Sequence, residues 1–203
     1  MANDDSRTIG EEVNSSDPDG FEALIAQGSA AMQADDDAAA AVCFASAMAL
    51  RPQAGLPHFL VGSLRAAAGD MEQAEAAFAS AILLAPDLWL ARYQLGLLQF
   101  SSGRAAVAML TWQPLLAMPA SEPVHHFVQG FAALAQDRFD EALQHYHEGL
   151  RLNPGNEAMG NDIRKVIAGI EALWAPAADL ADAEPDSGGH VLLAAYETQG
   201  RPH

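Results

Sequence analysis

Seven histidines give this sequence side chains that could bind a metal, but their spacing does not favour a shared ion. His145 and His147 stand two residues apart, which would place them on nearly opposite faces of a helix, and the adjacent His125 and His126 also diverge. The three aspartates that begin at Asp35 are consecutive, whereas a calcium-binding loop needs alternating ligands. We therefore expect no metal and no other cofactor.

The sequence also lacks the motifs through which enzymes most often hold nucleotides or activate a serine. It has no phosphate-binding loop, no dinucleotide-type G-x-G-x-x-G and no G-x-S-x-G nucleophile turn. Its one cysteine, Cys43, lies in the apolar stretch AAVCFASA, which favours a buried small side chain over a reactive thiol and excludes an internal disulfide. These observations predict a protein that is not an enzyme.

The chain is strongly acidic, with 27 acidic and 10 basic residues among 203 and a formal net charge of −17. Such a surface repels phosphate, so we expect neither nucleic acid nor an anionic membrane as a partner. No apolar stretch approaches the roughly 20 residues that span a bilayer. The acidic N-terminal stretch MANDDSRTIGEEVNSSDPDG also lacks the basic and apolar regions of a secretory signal. The expected location is the cytoplasm.

Four glycines recur at intervals of 34 residues: Gly28, Gly62, Gly96 and Gly130. Other residue types recur in register with them. Twelve residues after each glycine stands an alanine, and four residues further an aromatic residue: Ala40 and Phe44, Ala74 and Phe78, Ala108 and Trp112, Ala142 and Tyr146. A proline comes late in three of the four units: Pro52, Pro86 and Pro154. We expect each glycine to lie where two helices cross so closely that a side chain would clash.

This register resembles the tetratricopeptide repeat, which has a 34-residue period, a glycine in its first helix, A-x3-F in its second helix and a late proline. The resemblance covers residues 21–156 and divides them into four units: 21–54, 55–88, 89–122 and 123–156. It implies an all-α fold, a right-handed superhelical solenoid of antiparallel helix hairpins. With one further helix after the repeats, we expect nine helices and no strand in residues 21–174.

The resemblance also implies a concave groove, which the second, fifth, ninth and twelfth places of each unit would line. None of these residues is basic or an asparagine, so we expect an apolar or amphipathic ligand segment rather than an acidic peptide tail. The alternative is that they pack inside their own hairpins. If the groove is open, truncating Tyr93 and Phe127 to alanine should leave the melting temperature nearly unchanged. The candidate groove residues are Ile25, Ser29, Met32, Leu56, Phe59, Ser63, Leu90, Tyr93, Leu97, Phe100, Val124, Phe127, Phe131 and Leu134.

Three further segments flank the repeats. Residues 1–20 are acidic and are predicted to be disordered, and residues 175–189 are predicted to form an acidic flexible linker. Between the repeats and this linker, residues 157–174 predict an amphipathic capping helix with Asn156 as its N-cap. Its apolar residues recur at helical spacing: Ile163, Val166, Ile167 and Ile170.

Residues 190–203 form a short segment beyond the linker, and its apolar side chains make it a candidate docking segment: Val191, Leu192, Leu193 and Tyr196. It could dock on its own solenoid or on a second copy, which would allow self-association, or it could stay free as a motif for another protein.

The function that this sequence favours is a non-catalytic adaptor or assembly scaffold for protein–protein interaction. The alternative is an export chaperone, similar to the small acidic chaperones of type III secretion translocators, which also shield apolar segments.

Overall fold

The computed structural model describes residues 18–152 and 156–173. These residues form nine α-helices and no strand, which confirms the predicted all-α helical-repeat fold. None of the described helices combines the length and the apolar character that crossing a membrane requires. The predicted linker and the candidate docking segment lie outside the described residues. The helices are α1 Pro18–Gln33, α2 Asp37–Leu50, α3 Gly55–Ala67, α4 Met71–Leu84, α5 Trp89–Ser101, α6 Ala105–Leu116, α7 Pro123–Leu134, α8 Phe139–Leu152 and α9 Glu157–Ala172.

Two helix bounds differ from the predicted segments. Helix α1 begins at Pro18, within the stretch predicted to be disordered, because proline is favoured at the first position of a helix. Helix α9 ends at Ala172, two residues before the predicted end of the capping helix. Its N-cap is confirmed, because the Asn156 side chain accepts a hydrogen bond from the Met159 backbone N–H at 3.1 Å.

The chain forms two compact units that meet at Ala85 and Pro86 in the sequence. The N-terminal unit contains α1–α4, in which α1 pairs with α2, α3 pairs with α4, and α3 also packs against α1 and α2. The C-terminal unit contains α5–α9, in which α5 pairs with α6, α7 pairs with α8, and α9 packs against α8. Each unit thus holds two antiparallel hairpins of the predicted repeat.

The recurring glycines mark the crossing of the two helices in every hairpin. A Cβ atom added at Gly28, Gly62, Gly96 or Gly130 would lie less than 3.0 Å from the aromatic ring on the second helix of the same hairpin. These rings are fully buried: Phe44, Phe78, Trp112 and Tyr146. Van der Waals contact cannot be that short, so the glycine and the aromatic residue together fix how closely the helices of one hairpin approach. The predicted reason for the glycines is therefore confirmed.

The turn inside each hairpin contains one residue with a left-handed backbone, and this residue recurs with the period of the repeat. Gly69 and Gly103 have φ values of 78° and 77°, and Asp35 and Asp137 both have φ values of 56°. Glycine adopts this conformation without strain, whereas an aspartate is less favourable there. The four turns thus share one backbone geometry, although only two of them have the residue that suits it best.

This turn geometry predicts opposite effects for two substitutions. Gly69→Ala should lower the free energy of unfolding by about 1 kcal/mol through backbone strain, since a Cβ at Gly69 would meet no atom within 4 Å. Asp35→Gly should leave stability unchanged or raise it by up to about 0.5 kcal/mol, because it relieves strain of the same kind. Urea denaturation followed by circular dichroism measures both changes. Equal losses in the two variants would contradict this explanation.

Candidate functional site

The N-terminal unit presents the predicted groove residues on two neighbouring helices, α1 and α3. All six are half-buried or exposed and none is charged, and we call them the inner face: Ile25, Ser29, Met32, Leu56, Phe59 and Ser63. Ile25 and Met32 pack partly against the cluster of Phe44, and the Phe59 ring lies 5.8 Å from that of Phe78. The Ser63 hydroxyl donates to the Phe59 carbonyl oxygen at 3.1 Å. The inner face is therefore a largely apolar surface, and packing against the buried rings of Phe44 and Phe78 fixes the positions of its large side chains.

In the C-terminal unit, most of the predicted groove residues are buried. Leu90, Leu97 and Phe100 are half-buried, but five of the eight predicted groove residues belong to the core: Tyr93, Val124, Phe127, Phe131 and Leu134. Tyr93 is 1% exposed and Phe127 is 0% exposed, so the expectation that these two rings are exposed is wrong. The Phe127 ring also fills the space beside Gly149, where an added Cβ would lie less than 3.0 Å from it. These five side chains pack inside the unit rather than line an open surface.

Helix α9 explains why this part of the predicted groove is closed. Its Met159, Ile163, Val166, Ile167 and Ile170 belong to the same hydrophobic cluster as the five buried groove residues. Burial, and to a lesser degree the nearby Asp162 carboxylate of α9, raises the pKa of the Tyr93 hydroxyl far above its ordinary value. In the C-terminal unit, the apolar side chains that the sequence predicted to bind a partner are therefore buried in one core with α9.

Three histidines meet where α7 and α8 pack together. The rings of His125 and His126 lie 5.4 Å apart, and the rings of His126 and His145 lie 6.0 Å apart. The Nε2 atom of His126 hydrogen-bonds the Ala120 carbonyl oxygen at 2.8 Å, which ties α7 to the turn before it. Within the part of the chain that the structure describes, no group of three or more histidine, cysteine or acidic side chains could hold a metal ion.

The histidine cluster makes the stability of the C-terminal unit dependent on pH. Burial, followed by the neighbouring His126, lowers the pKa of His145, and Glu141 only partly opposes this. Folded His145 therefore binds protons less readily than unfolded His145, whose pKa is about 6.5. Its contribution to stability is fully present above that value and is lost as the pH falls through the lower folded pKa.

We expect the urea midpoint of the C-terminal unit to fall between pH 7.5 and pH 5, and His145→Gln should reduce this slope. His147→Gln is the matched control, because His147 lies exposed on the same helix. The prediction fails if the midpoint rises on acidification or if both variants keep the slope of the unaltered protein.

Comparison with known proteins agrees with the described hairpins. A family model described as tetratricopeptide repeat matches residues 126–156, which lie in the fourth unit. No curated protein matches the chain.

Solved structures provide the second comparison. A crystal structure of MamA is similar with a TM-score of 0.54 and 21% identity, over 67% of this chain and 80% of that one. MamA from residue 41 to its end, from Desulfovibrio magneticus RS-1, is similar with a TM-score of 0.57 and 13% identity, over 76% of this chain and 85% of that one. A double mutant of MamA from RS-1 gives the same values.

At these identities the solved structures show the fold alone. The matched tetratricopeptide repeat supports a general role in protein–protein interaction. The repeat matched at residues 126–156 agrees with the glycine and aromatic register that the hairpins share. The chain therefore contains a tetratricopeptide repeat at residues 126–156, within an all-α fold of repeated helix hairpins.

Proposed function

We propose that this protein is a non-catalytic adaptor or assembly scaffold, and that its N-terminal unit binds an apolar or amphipathic segment of another protein on the inner face. One observation carries the proposal. The inner-face side chains of α1 and α3 are uncharged and accessible, whereas the corresponding side chains of α7 are all buried. A partner that binds the apolar side chains at these places of the repeat would therefore bind the inner face of the N-terminal unit.

The inner face suits an amphipathic helix. Ile25, Ser29 and Met32 follow one another at helical spacing on α1, so they form one ridge along the helix. A second ridge, Leu56, Phe59 and Ser63, follows α3, and a groove between two such ridges accepts the apolar face of a third helix. Because the Ser63 hydroxyl already donates within α3, the surface offers few polar contacts, and shape and apolar contact dominate recognition.

The charges around the inner face favour a partner with basic residues beside its apolar ridge. Asp35 and Asp36 are exposed in the turn that follows α1, Asp37 is exposed at the start of α2, and Glu22 is exposed near the beginning of α1. Glu22 forms an ion pair with Arg51 at 3.7 Å. Opposite charges at the rim of an interface speed association and select the partner. The net charge of −17 disfavours nucleic acid and anionic membranes, and a cytoplasmic location is part of the same proposal.

A selection experiment with matched variants tests this function. A displayed library of amphipathic helical peptides is selected against the full chain, and the affinities of the recovered peptides are measured for Leu56→Glu and for Leu83→Glu. Leu56 is 37% exposed on the inner face, and Leu83 is 81% exposed on α4 of the same unit. We expect Leu56→Glu to weaken binding at least about tenfold, because it buries a charge against the peptide, and Leu83→Glu to leave it unchanged. Equal effects of the two variants, or none, would refute the inner face as the binding site.

A further inference from the structure

A second apolar surface lies on the exposed side of α6, in the C-terminal unit. Helix α6 has no charged residue along its whole length, AAVAMLTWQPLL. Leu110 is 73% exposed and Val107 is 42% exposed. Together with the exposed Ala106, Gln113 and Pro114 they form what we call the α6 face. Large apolar side chains left in water at this spacing indicate a surface that something covers.

The repeat itself does not demand an apolar surface here. The residues one repeat later on α8, in the same unit, occupy the corresponding places of the next hairpin, and all of them are polar or charged: Asp140, Glu141, Gln144, His147 and Glu148. Polar side chains are thus compatible with this side of a second helix. Within the C-terminal unit, the apolar composition of this face is therefore specific to α6.

The chain contains an apolar segment that can reach the α6 face. Residues 190–196 include Val191, Leu192, Leu193 and Tyr196, and residues 174–189 join them to the end of α9. A flexible chain of that length spans roughly 20–24 Å. Packed neighbouring helices lie about 8–10 Å apart, so the linker can pass the α7–α8 hairpin that stands between α9 and α6 in the chain.

We propose that residues 190–196 dock on the α6 face of their own chain. Tethering raises the local concentration of the segment to roughly the millimolar range, so a small apolar contact is enough to keep it bound. A second copy is a poorer occupant, because a stable dimer buries about 1,200–2,000 Å² and each copy has a net charge of −17. The inner side of α7 is not available, because its apolar side chains are buried. This contact uses neither the inner face nor an external partner.

Cysteine cross-linking in the full-length chain tests the contact. In protein that also has Cys43→Ser, Gln113→Cys on the α6 face is paired with Ala195→Cys. The matched control pairs His147→Cys, the corresponding position on α8, with Ala195→Cys; both helix positions are exposed. The rate of intramolecular disulfide formation is measured at low protein concentration and is corrected for the reactivity of each thiol with glutathione.

We expect the Gln113→Cys pair to cross-link roughly tenfold faster than the control, because docking holds the two thiols at high local concentration. Adding Leu110→Glu should bring the rate down to that of the control. Equal rates, a faster control, or no effect of Leu110→Glu would overturn the proposal. Cross-links that form only between two chains would also overturn it and would identify a second copy as the occupant.

Discussion

Replacing Trp112 by alanine should lower the free energy of unfolding by about 3–5 kcal/mol, the usual cost of removing a large buried ring. Trp112 is 0% exposed, and its ring lies 5.1 Å from that of Phe131 and 6.0 Å from that of Phe100. Its Nε1–H also donates to the backbone carbonyl oxygen of Tyr93 at 3.0 Å. The substitution therefore removes a packing centre and one buried hydrogen bond from the crossing of α5 and α6.

Urea denaturation followed by circular dichroism measures this loss, and Trp89→Ala is the control. Trp89 is 37% exposed at the beginning of α5, so its truncation should cost less than about 1 kcal/mol. Trp112→Phe should fall between the two, because it keeps most of the ring volume and loses the hydrogen bond, which is worth about 1 kcal/mol. Comparable losses for Trp112→Ala and Trp89→Ala would show that the C-terminal core is not built around Trp112.

Truncating Tyr93 and Phe127 together to alanine should lower the melting temperature of the C-terminal unit steeply. Each ring is buried in the cluster that α9 shares, and each truncation removes about 3–5 kcal/mol of packing, with some coupling between them since they belong to one cluster. The open-groove interpretation of the sequence expects the opposite, an almost unchanged melting temperature. Differential scanning calorimetry distinguishes the two outcomes.

The control for this double variant is Leu56→Ala with Ser63→Ala on α3. These residues belong to the inner face of the N-terminal unit and are accessible, so their truncation should change stability by no more than about 1 kcal/mol. A double Tyr93 and Phe127 variant that melts like this control would contradict the closed C-terminal unit and would restore these rings as a binding surface.

The helices and their pairing could be predicted because the signals that specify them are local and repeated. A glycine on one helix and an aromatic residue on the next identify one hairpin crossing, and the same pair recurs four times at the same separation. The left-handed residue in each turn also recurs with the period of the repeat, but only at Gly69 and Gly103 does the residue type indicate this conformation. Asp35 and Asp137 have the same geometry, and counting one repeat back from Gly69 and one repeat on from Gly103 would have located them.

The closed C-terminal unit could not be predicted, because an apolar stripe shows that a helix is buried but not against what. The periodicity of Ile163, Val166 and Ile170 predicts α9 and its buried side correctly. Which surface it covers depends on the shape of the cluster around Phe127, and no local pattern in the sequence encodes that shape. The same apolar residues therefore suit an open groove or a core.

The histidine cluster could have been predicted from the hairpin register. His126 on α7 and His145 on α8 have the same sequence separation as Arg92 and Thr111 in the preceding hairpin, where the Arg92 guanidinium donates to the Thr111 carbonyl oxygen. Positions with this separation face each other across a hairpin. Spacing within one helix, on which the sequence interpretation relied, considers only neighbours such as His145 and His147.

Amide hydrogen exchange with a bound helical peptide, selected as described above, tests the central claim most directly. If the N-terminal unit provides the recognition surface, the peptide should slow exchange in α1 and α3 and leave α5 and α7 unchanged. The reason is that the inner face is accessible, whereas Tyr93 on α5 and the predicted groove residues of α7 are buried. Protection confined to α5 and α7, with α9 exchanging faster as it is displaced, would contradict the account.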